Sequence, residues 1–123
     1  MTVPIVRRSV ALLGATGSIG TQTLDVLRGE PERFELVALS GGEQLRELAA
    51  VVNEFRVPRV GVISDAHRDT LAELVGADVD IVVGDDGLSS LAASADVIVN
   101  AVLGFAGLPV TLSALKAGKR LAL

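Results

Sequence analysis

Short apolar runs alternate with amphipathic segments along the whole 123-residue chain. The apolar runs predict strands, and the segments in which apolar residues recur every three or four positions predict helices. The predicted strands cover residues 9–13, 34–39, 59–63, 80–83, 95–101 and 119–123. The predicted helices cover residues 19–28, 43–55, 65–75, 85–93 and 108–117. This order is β-α repeated five times and closed by a strand, which predicts an α/β fold: a three-layer, doubly wound parallel sheet of about six strands.

The helical spacing also predicts which faces are buried. On the first helix the predicted inner face consists of Ile19, Thr23, Val26 and Leu27. On the second it consists of Leu45, Leu48, Ala49, Val52 and Phe55. Ser64 or Asp65 is expected to cap the third helix. We expect residues 1–123 to form a single domain, and a last strand that stops at Leu123 without a following loop is typical of a fragment.

Three glycines follow the first predicted strand at Gly14, Gly17 and Gly20. Gly14 lets the strand turn sharply, Gly17 lets the backbone approach a phosphate, and Gly20 lets the helix pack closely. Thr16 and Ser18 add hydroxyl groups, and the amides of residues 17–19 are expected to face an anion at the helix N-terminus. The pattern is typical of a Rossmann-like dinucleotide site, although G-x-x-G-x-x-G differs from the better known G-x-G-x-x-G. A plain strand-to-helix turn without a ligand is the alternative.

The end of the second strand is the second candidate site. An acid that binds the ribose hydroxyls of NAD is usual there, but Ser40 occupies the position. The missing carboxylate leaves room for a 2′-phosphate and favours NADP(H), with Ser40, the segment Gly42, Glu43 and Gln44, and the cation of Arg46 as candidate partners. Glu43 opposes this assignment because a carboxylate repels a phosphate. The alternative is that the glycine pair is only a turn.

The fifth predicted strand leads into the third candidate site, Asn100, Ala101 and Val102. It ends beside the point where the strand order reverses, and a nicotinamide or its ribose is expected to lie against such a loop. Asn100 could donate a hydrogen bond to the ribose, or it could simply orient the loop.

Composition excludes several other classes. The formal net charge is −4, and the chain has no long Lys/Arg cluster, which argues against nucleic acid. The absence of cysteine excludes disulfides, thiolate metal sites and a cysteine nucleophile within these residues. No apolar run has the length of a membrane span, and the N-terminus lacks a signal-peptide pattern, so we expect a cytoplasmic protein.

Three further side chains are weak candidates. His67 has no partner in the sequence that would make it a ligand, and it is expected to lie at the surface. Asp85 and Asp86 could bind a cation, but a role in capping the fourth helix fits better. We therefore predict no catalytic residue and no metal site in this chain.

Two stretches resemble one enzyme family. Residues 14–28 (GATGSIGTQTLDVLR) with 31–39 (PERFELVAL), and residues 100–123 (NAVLGFAGLPVTLSALKAGKRLAL), resemble the N-terminal, NADPH-binding part of 1-deoxy-D-xylulose 5-phosphate reductoisomerase. The resemblance implies that Thr16, Gly17, Ser18 and Ile19 meet the phosphates. It also implies that residues 42–44 meet the 2′-phosphate, where the family more often has a basic residue and an asparagine than Glu43 and Gln44.

The resemblance also implies a function. The family rearranges its substrate and reduces the resulting aldehyde with NADPH, giving 2-C-methyl-D-erythritol 4-phosphate in the non-mevalonate route to isoprenoids. It uses Mg²⁺ or Mn²⁺ and forms homodimers, but its metal-binding acids follow the Leu121–Leu123 region, so this chain alone is expected to bind cofactor without turnover. Two alternatives stay open: the cofactor domain of another NADP-dependent dehydrogenase, and a non-enzymatic nucleotide-binding module.

Overall fold

The computed structural model describes residues 7–101 and 120–122. The strands in these ranges are β1 (Arg8–Leu13), β2 (Phe34–Ser40), β3 (Arg59–Val62), β4 (Asp80–Val83), β5 (Val97–Asn100) and β6 (Arg120–Ala122). The helices are α1 (Ser18–Gly29), α2 (Leu45–Phe55), α3 (Asp65–Ala72) and α4 (Gly84–Ala92). The predicted helix over residues 108–117 lies outside the described residues.

All six strands form one sheet in the order β4-β3-β2-β1-β5-β6, and every neighbouring pair is parallel. The chain builds outward from β1 to β4 and then returns to the other side of β1 to form β5. The strand order therefore reverses between β1 and β5, which is where ligands bind in open α/β sheets. The doubly wound parallel sheet predicted from the sequence is confirmed.

Helices cover both faces of the sheet. Val10 and Leu12 of β1 belong to one buried cluster with side chains from α1, α2 and α3. Ala11 and Leu13 belong to a second cluster with Leu91 of α4. Successive strand residues point to opposite faces, so β1 contributes to both cores. Right-handed crossovers place α4 opposite the first three helices because the chain reverses direction there.

A bulge in β2 adjusts the alternation of its side chains. Val10 pairs with Leu36 but Ala11 pairs with Ala38, so Val37 is an extra residue opposite β1. Leu36 and Leu39 consequently both join the first cluster, although they are an odd number of residues apart.

The predicted inner face of α1 is partly wrong. Ile19 and Val26 are 45% and 56% exposed, whereas Gly20, Leu24 and Leu27 are buried. Gly20 contacts the backbone of the preceding turn, and this contact fixes the rotation of the helix about its axis. Positions 20, 24 and 27 then face the sheet, and the apolar side chains at 19 and 26 turn toward solvent.

The predictions for α2 and α3 need smaller corrections. The predicted inner face of α2 is confirmed, because Leu48, Ala49 and Val52 are buried and Leu45 and Phe55 pack against them. This helix begins at Leu45 rather than at residue 43. Ser64 caps α3 as predicted, since its Oγ accepts from the amide of His67 at 3.3 Å.

The predicted capping role of the acidic pair at the start of α4 is wrong. Asp85 and Asp86 lie in the first turn of the helix, and the capping position is Val83, which provides no side-chain cap. Gly84, with φ of +76°, lets the strand turn directly into the helix. The two carboxylates therefore stabilise the positive end of the helix dipole without capping it.

Candidate nucleotide-binding site

The carboxyl ends of three neighbouring strands meet in one row. Leu13, the last residue of β1, pairs with Ser40 of β2 on one side and with Asn100 of β5 on the other. The three strands that lead into the predicted site residues therefore end at the same edge of the sheet. The structure brings together the strand ends at residues 13, 40 and 100.

The glycine turn after β1 is held by backbone hydrogen bonds to β2. Gly14 has φ of +86°, a left-handed conformation that an L side chain rarely adopts. Its N–H donates to the Ser40 carbonyl oxygen at 3.1 Å, and the N–H of Ala15 donates to the same oxygen at 2.8 Å. The turn predicted at Gly14 is confirmed, and its partner is the neighbouring strand.

Gly20 and Gly17 have different surroundings. A Cβ added to Gly20 would overlap the Gly14 carbonyl oxygen and lie 2.7 Å from that of Ala15, so only glycine lets α1 pack this closely. A Cβ added to Gly17 would meet no atom nearer than 3.9 Å, so its outer side is open. Gly17 therefore leaves space beside the turn that a ligand could fill.

The N-terminus of α1 faces this space. Gly17 is the capping residue and provides no side-chain acceptor, and no acid lies in the first turn. The first amides of a helix have no carbonyl partner within the helix, so those of Ser18 and Ile19 are available to an anion. The amide of Gly17, by contrast, donates to the Gly14 carbonyl oxygen at 3.4 Å. The amides of Ser18 and Ile19 are thus the freer donors, and the prediction that amides 17–19 face an anion stays a prediction.

The hydroxyl groups next to the turn are placed differently. Thr16 is half-buried and Ser18 is exposed at the start of α1. Ser40 is only 3% exposed, and its Oγ accepts from the N–H of Gly14 at 3.2 Å. Sequence reasoning missed this contact because the two residues are 26 positions apart.

The segment after β2 is open to solvent. Gly42 is half-buried, Glu43 and Gln44 are exposed, and the Glu43 carbonyl oxygen accepts from the amide of Leu45 at 2.9 Å. Gln44 is the capping residue of α2 without a side-chain cap. The three residues lie directly beyond Ser40, so they share an edge with the glycine turn.

The end of β5 lies on the other side of β1. Asn100 is 7% exposed, and the amide of Ala101 donates to the Leu13 carbonyl oxygen at 2.7 Å. This bond extends the ladder between β1 and β5 up to the glycine turn. Val102, the third predicted residue of this group, lies outside the described residues.

Another groove lies away from the glycine turn. It has a volume of about 590 Å³ and is lined by Arg7, Phe34 and Glu35 near the amino ends of the strands, together with Arg28 and Glu54. Arg28 and Glu54 form a two-pronged ion pair across it, with distances of 2.6 and 2.8 Å. The hydrogen bonds from Arg28 lower the pKa of Glu54 below its ordinary value. This groove holds a structural ion pair at the edge opposite the glycine turn.

The remaining weak candidates do not form a site. His67 is half-buried rather than fully at the surface, and its Nδ1 has no hydrogen-bond partner among residues 7–101 and 120–122. Within the same ranges, no three His, Cys, Asp or Glu side chains are grouped so that they could hold a metal ion. No helix in the described part of the chain has both the length and the apolar character to cross a bilayer.

Fold and turn together define the class. A parallel sheet with its strand order reversed beside β1, and a glycine turn leading into the N-terminus of α1, constitute a Rossmann-like α/β fold. A sequence model of the 1-deoxy-D-xylulose 5-phosphate reductoisomerase family matches residues 10–123. The chain belongs to that family.

Individual relatives agree with this assignment. The 1-deoxy-D-xylulose 5-phosphate reductoisomerase of Halalkalibacterium halodurans is 44% identical over 118 residues, covering 94% of this chain and 31% of that protein. The one from Psychrobacter arcticus is 42% identical over 123 residues, covering 97% of this chain and 31% of that protein. The chain thus spans about a third of the length of these relatives.

Solved structures show the same fold. The reductoisomerase from Zymomonas mobilis in complex with NADPH is 34% identical, with a TM-score of 0.89 over 96% of this chain and 32% of that chain. A reductoisomerase in complex with magnesium is 37% identical, also with a TM-score of 0.89, over 96% of this chain and 30% of that chain.

Proposed function

We propose that this chain binds NADPH as the cofactor-binding part of a 1-deoxy-D-xylulose 5-phosphate reductoisomerase. One observation carries the proposal: the open side of Gly17 and the unpaired first amides of α1 lie at the reversal of strand order. An anion placed there meets backbone donors and the positive end of a helix dipole. The NADPH complex of the Zymomonas mobilis relative supports the identity of the nucleotide.

The residues divide into three groups in this proposal. The diphosphate lies against Gly14, Thr16, Gly17, Ser18 and Ile19. The adenosine ribose and its 2′-phosphate lie near Gly42, Glu43 and Gln44, with Ser40 bracing the turn beneath them. The nicotinamide half lies toward Asn100, Ala101 and Val102. When bound, NADPH supplies a hydride; the residues of this chain bind it and orient it at the strand ends.

The remaining properties follow from membership of the family. The whole protein would convert 1-deoxy-D-xylulose 5-phosphate to 2-C-methyl-D-erythritol 4-phosphate, in the cytoplasm and as a homodimer, with Mg²⁺ or Mn²⁺ held by residues outside this chain. We propose that residues 1–123 form the dinucleotide-binding domain and contribute no catalytic residue.

The test is a calorimetric titration of the full-length protein with NADPH. It compares wild type, Gly17→Val and Gly29→Val. An added side chain at either glycine starts in space free of neighbouring atoms nearer than 3.9 Å, so both variants should fold. Gly29 ends α1, far from the glycine turn, and serves as the matched control.

We expect NADPH to bind wild type and Gly29→Val equally, and Gly17→Val at least about tenfold more weakly, which corresponds to about 1.4 kcal/mol. Circular dichroism of the three proteins checks that they are equally folded. Equal affinity of all three, or no binding to wild type, would refute the proposed site. A folded protein that binds NADPH but does not oxidise it with the substrate would indicate another NADP-dependent enzyme.

A further inference from the structure

One flank of α1 is apolar but exposed. Ile19 and Val26 are 45% and 56% exposed, and Thr23 lies between them. At about 3.6 residues per turn these three positions share one side of the helix. The Thr23 hydroxyl donates to the Ile19 carbonyl oxygen at 2.8 Å, so its polar group is already bonded within the helix. The flank therefore presents mainly carbon atoms to the solvent.

Arg28 shows which way this flank points. Its guanidinium reaches Glu54 of α2 at 2.6 and 2.8 Å, so the Arg28 side of α1 faces α2. Val26 lies nearly opposite Arg28 around the helix axis, because two residues correspond to a rotation of about 200°. α2 follows β2, and β5 lies on the other side of β1 from β2. The apolar flank is therefore directed away from α2 and toward the β5 side of the sheet.

The strand on that side also has an apolar face that is only partly covered. Val97 pairs with Val10, and Val99 pairs with Leu12. Paired residues lie on the same face of a sheet, which here is the face covered by α1. The two β1 residues are buried there, whereas Val97 and Val99 are half-buried. We call the flank and the strand face together the α1–β5 surface: Ile19, Thr23, Val26, Val97 and Val99.

The same part of α1 carries no charge. Residues 18–24 contain no Asp, Glu, Lys or Arg. The exposed positions of α2, by contrast, include Arg46, Glu47 and Glu54. Depletion of charged side chains distinguishes the centre of a protein interface from the rest of a protein surface. The α1–β5 surface therefore has the composition of an interface.

We propose that an apolar segment from outside residues 1–123 of the same polypeptide packs against the α1–β5 surface. The chain covers only 31% of the length of each of two relatives, so a full-length protein of that size has ample further chain to supply the segment. A second argument rests on the proposed function. The nicotinamide half is placed at the end of β5, and the group that accepts its hydride has to approach there. The substrate-binding part of the protein must then come close to this surface.

Thiol labelling of the full-length protein, without nucleotide, tests whether the surface is covered. Val26→Cys is compared with Ile63→Cys, a matched control because Val26 is 56% and Ile63 is 58% exposed. Both substitutions replace exposed side chains, so both variants should fold. Residues 1–123 contain no cysteine, so mass spectrometry of the peptides that carry positions 26 and 63 reports only the introduced thiols.

We expect iodoacetamide to alkylate Val26→Cys at least about tenfold more slowly than Ile63→Cys, because the covering segment has to open first. In urea the two thiols should react equally fast, since nothing then covers either of them.

A photoreactive leucine analogue at position 26 identifies what covers the surface. We expect it to cross-link to a peptide outside residues 1–123 and to give a product with the mass of one chain. Dilution of the protein should change neither the cross-linking yield nor the protection of Val26→Cys, because a contact within one polypeptide does not depend on protein concentration.

Equal alkylation of Val26→Cys and Ile63→Cys in the native protein would overturn the inference. A cross-linked product with the mass of two chains would also overturn it, since the occupant would then be a second copy, as would a cross-link confined to residues 1–123. No step of this test contains nucleotide. A protein that does not bind NADPH but protects Val26→Cys would therefore contradict the proposed function and leave this inference standing.

Discussion

Ser40 binds the N–H of Gly14 through two atoms, its carbonyl oxygen at 3.1 Å and its hydroxyl oxygen at 3.2 Å. The carbonyl oxygen also accepts from Ala15 at 2.8 Å. Ser40 is therefore buried beneath the glycine turn and ties the end of β2 to the end of β1. Many NAD-binding folds carry an acid at this position. In this chain the position is occupied by Ser40, which holds the turn in place.

Replacing Ser40 by alanine tests this positioning role. Ser40→Ala keeps the carbonyl bonds and removes only the hydroxyl, so we expect the free energy of unfolding to fall by about 1 kcal/mol. If Ser40 acts by bracing the turn, NADPH and NADH affinities should fall by the same factor. Urea denaturation and nucleotide titration measure the two effects.

Ser90→Ala is a suitable control for that experiment. Ser90 is exposed and accepts from Arg59 at 3.0 Å, so its loss should cost less than about 0.5 kcal/mol. A loss of NADPH affinity in Ser40→Ala with NADH affinity unchanged would show instead that the Ser40 hydroxyl contacts the 2′-phosphate directly.

Alanine substitutions at Gly20 and Gly61 test how much stability depends on the close packing of α1 and α4. In Gly20→Ala the new Cβ would meet the backbone carbonyls of Gly14 and Ala15, which cannot move without opening the turn. We expect a loss of about 3 kcal/mol in the free energy of unfolding. In Gly61→Ala the Cβ would lie 2.7 Å from side-chain ends of Leu88 and Leu91. Leucine side chains can shift, so about 1 kcal/mol is expected there.

Gly29→Ala serves as the control, because its Cβ would meet no atom within 4 Å. It should leave stability unchanged or raise it by about 0.5 kcal/mol, since alanine favours helix over the unfolded chain. Chemical denaturation of the three variants gives the order. A Gly20→Ala protein as stable as wild type would mean that α1 does not depend on this close contact.

The alternation of apolar and amphipathic segments was sufficient to predict the sheet and the number of its strands. β1 buries apolar side chains on both faces, and β5 has half-buried valines on one face and the buried Ile98 on the other, so both are nearly continuous apolar runs that are easy to recognise. Because parallel strands end at a common edge, the three candidate segments could also be predicted to meet there. The composition also showed that these residues contain no cysteine, which excludes sites built on cysteine.

Contacts between distant residues could not be predicted in this way. The rotation of α1 follows from the contact of Gly20 with the turn, whereas hydrophobicity alone favoured Ile19 and Val26 as buried residues. The bulge at Val37 could not be predicted, because a simple alternation of side chains with a period of two does not show an extra residue in a strand. The bond between Ser40 and Gly14 depends on the register of two strands, which no local pattern specifies.

Arg28 joins the end of α1 to the end of α2 at the opposite edge of the sheet. Its guanidinium pairs with both carboxylate oxygens of Glu54 and also contacts Asp25 at 2.8 Å. The guanidinium lies 5.5 Å from the centre of the Phe55 ring, which restricts its movement further. The side chain of Glu54 is 44% exposed, so solvent weakens the pair.

The pair between Arg28 and Glu54 should make stability depend on pH in a defined window. Hydrogen bonding to Arg28 lowers the pKa of Glu54 below its ordinary value of 4.5. The unfolded chain therefore takes up a proton at this carboxylate before the folded protein does, and acid favours unfolding. At neutral pH we expect Glu54→Gln to lower the free energy of unfolding by about 0.5–1 kcal/mol, the value of an exposed ion pair with good geometry.

The difference in the free energy of unfolding between wild type and Glu54→Gln should shrink as the pH falls below 4.5. Glu32→Gln, the control, should show neither the loss at neutral pH nor its pH dependence. Urea denaturation at several pH values measures the free energy of unfolding of each protein. A difference that persists unchanged in acid would show that the Gln substitution acts through packing rather than charge.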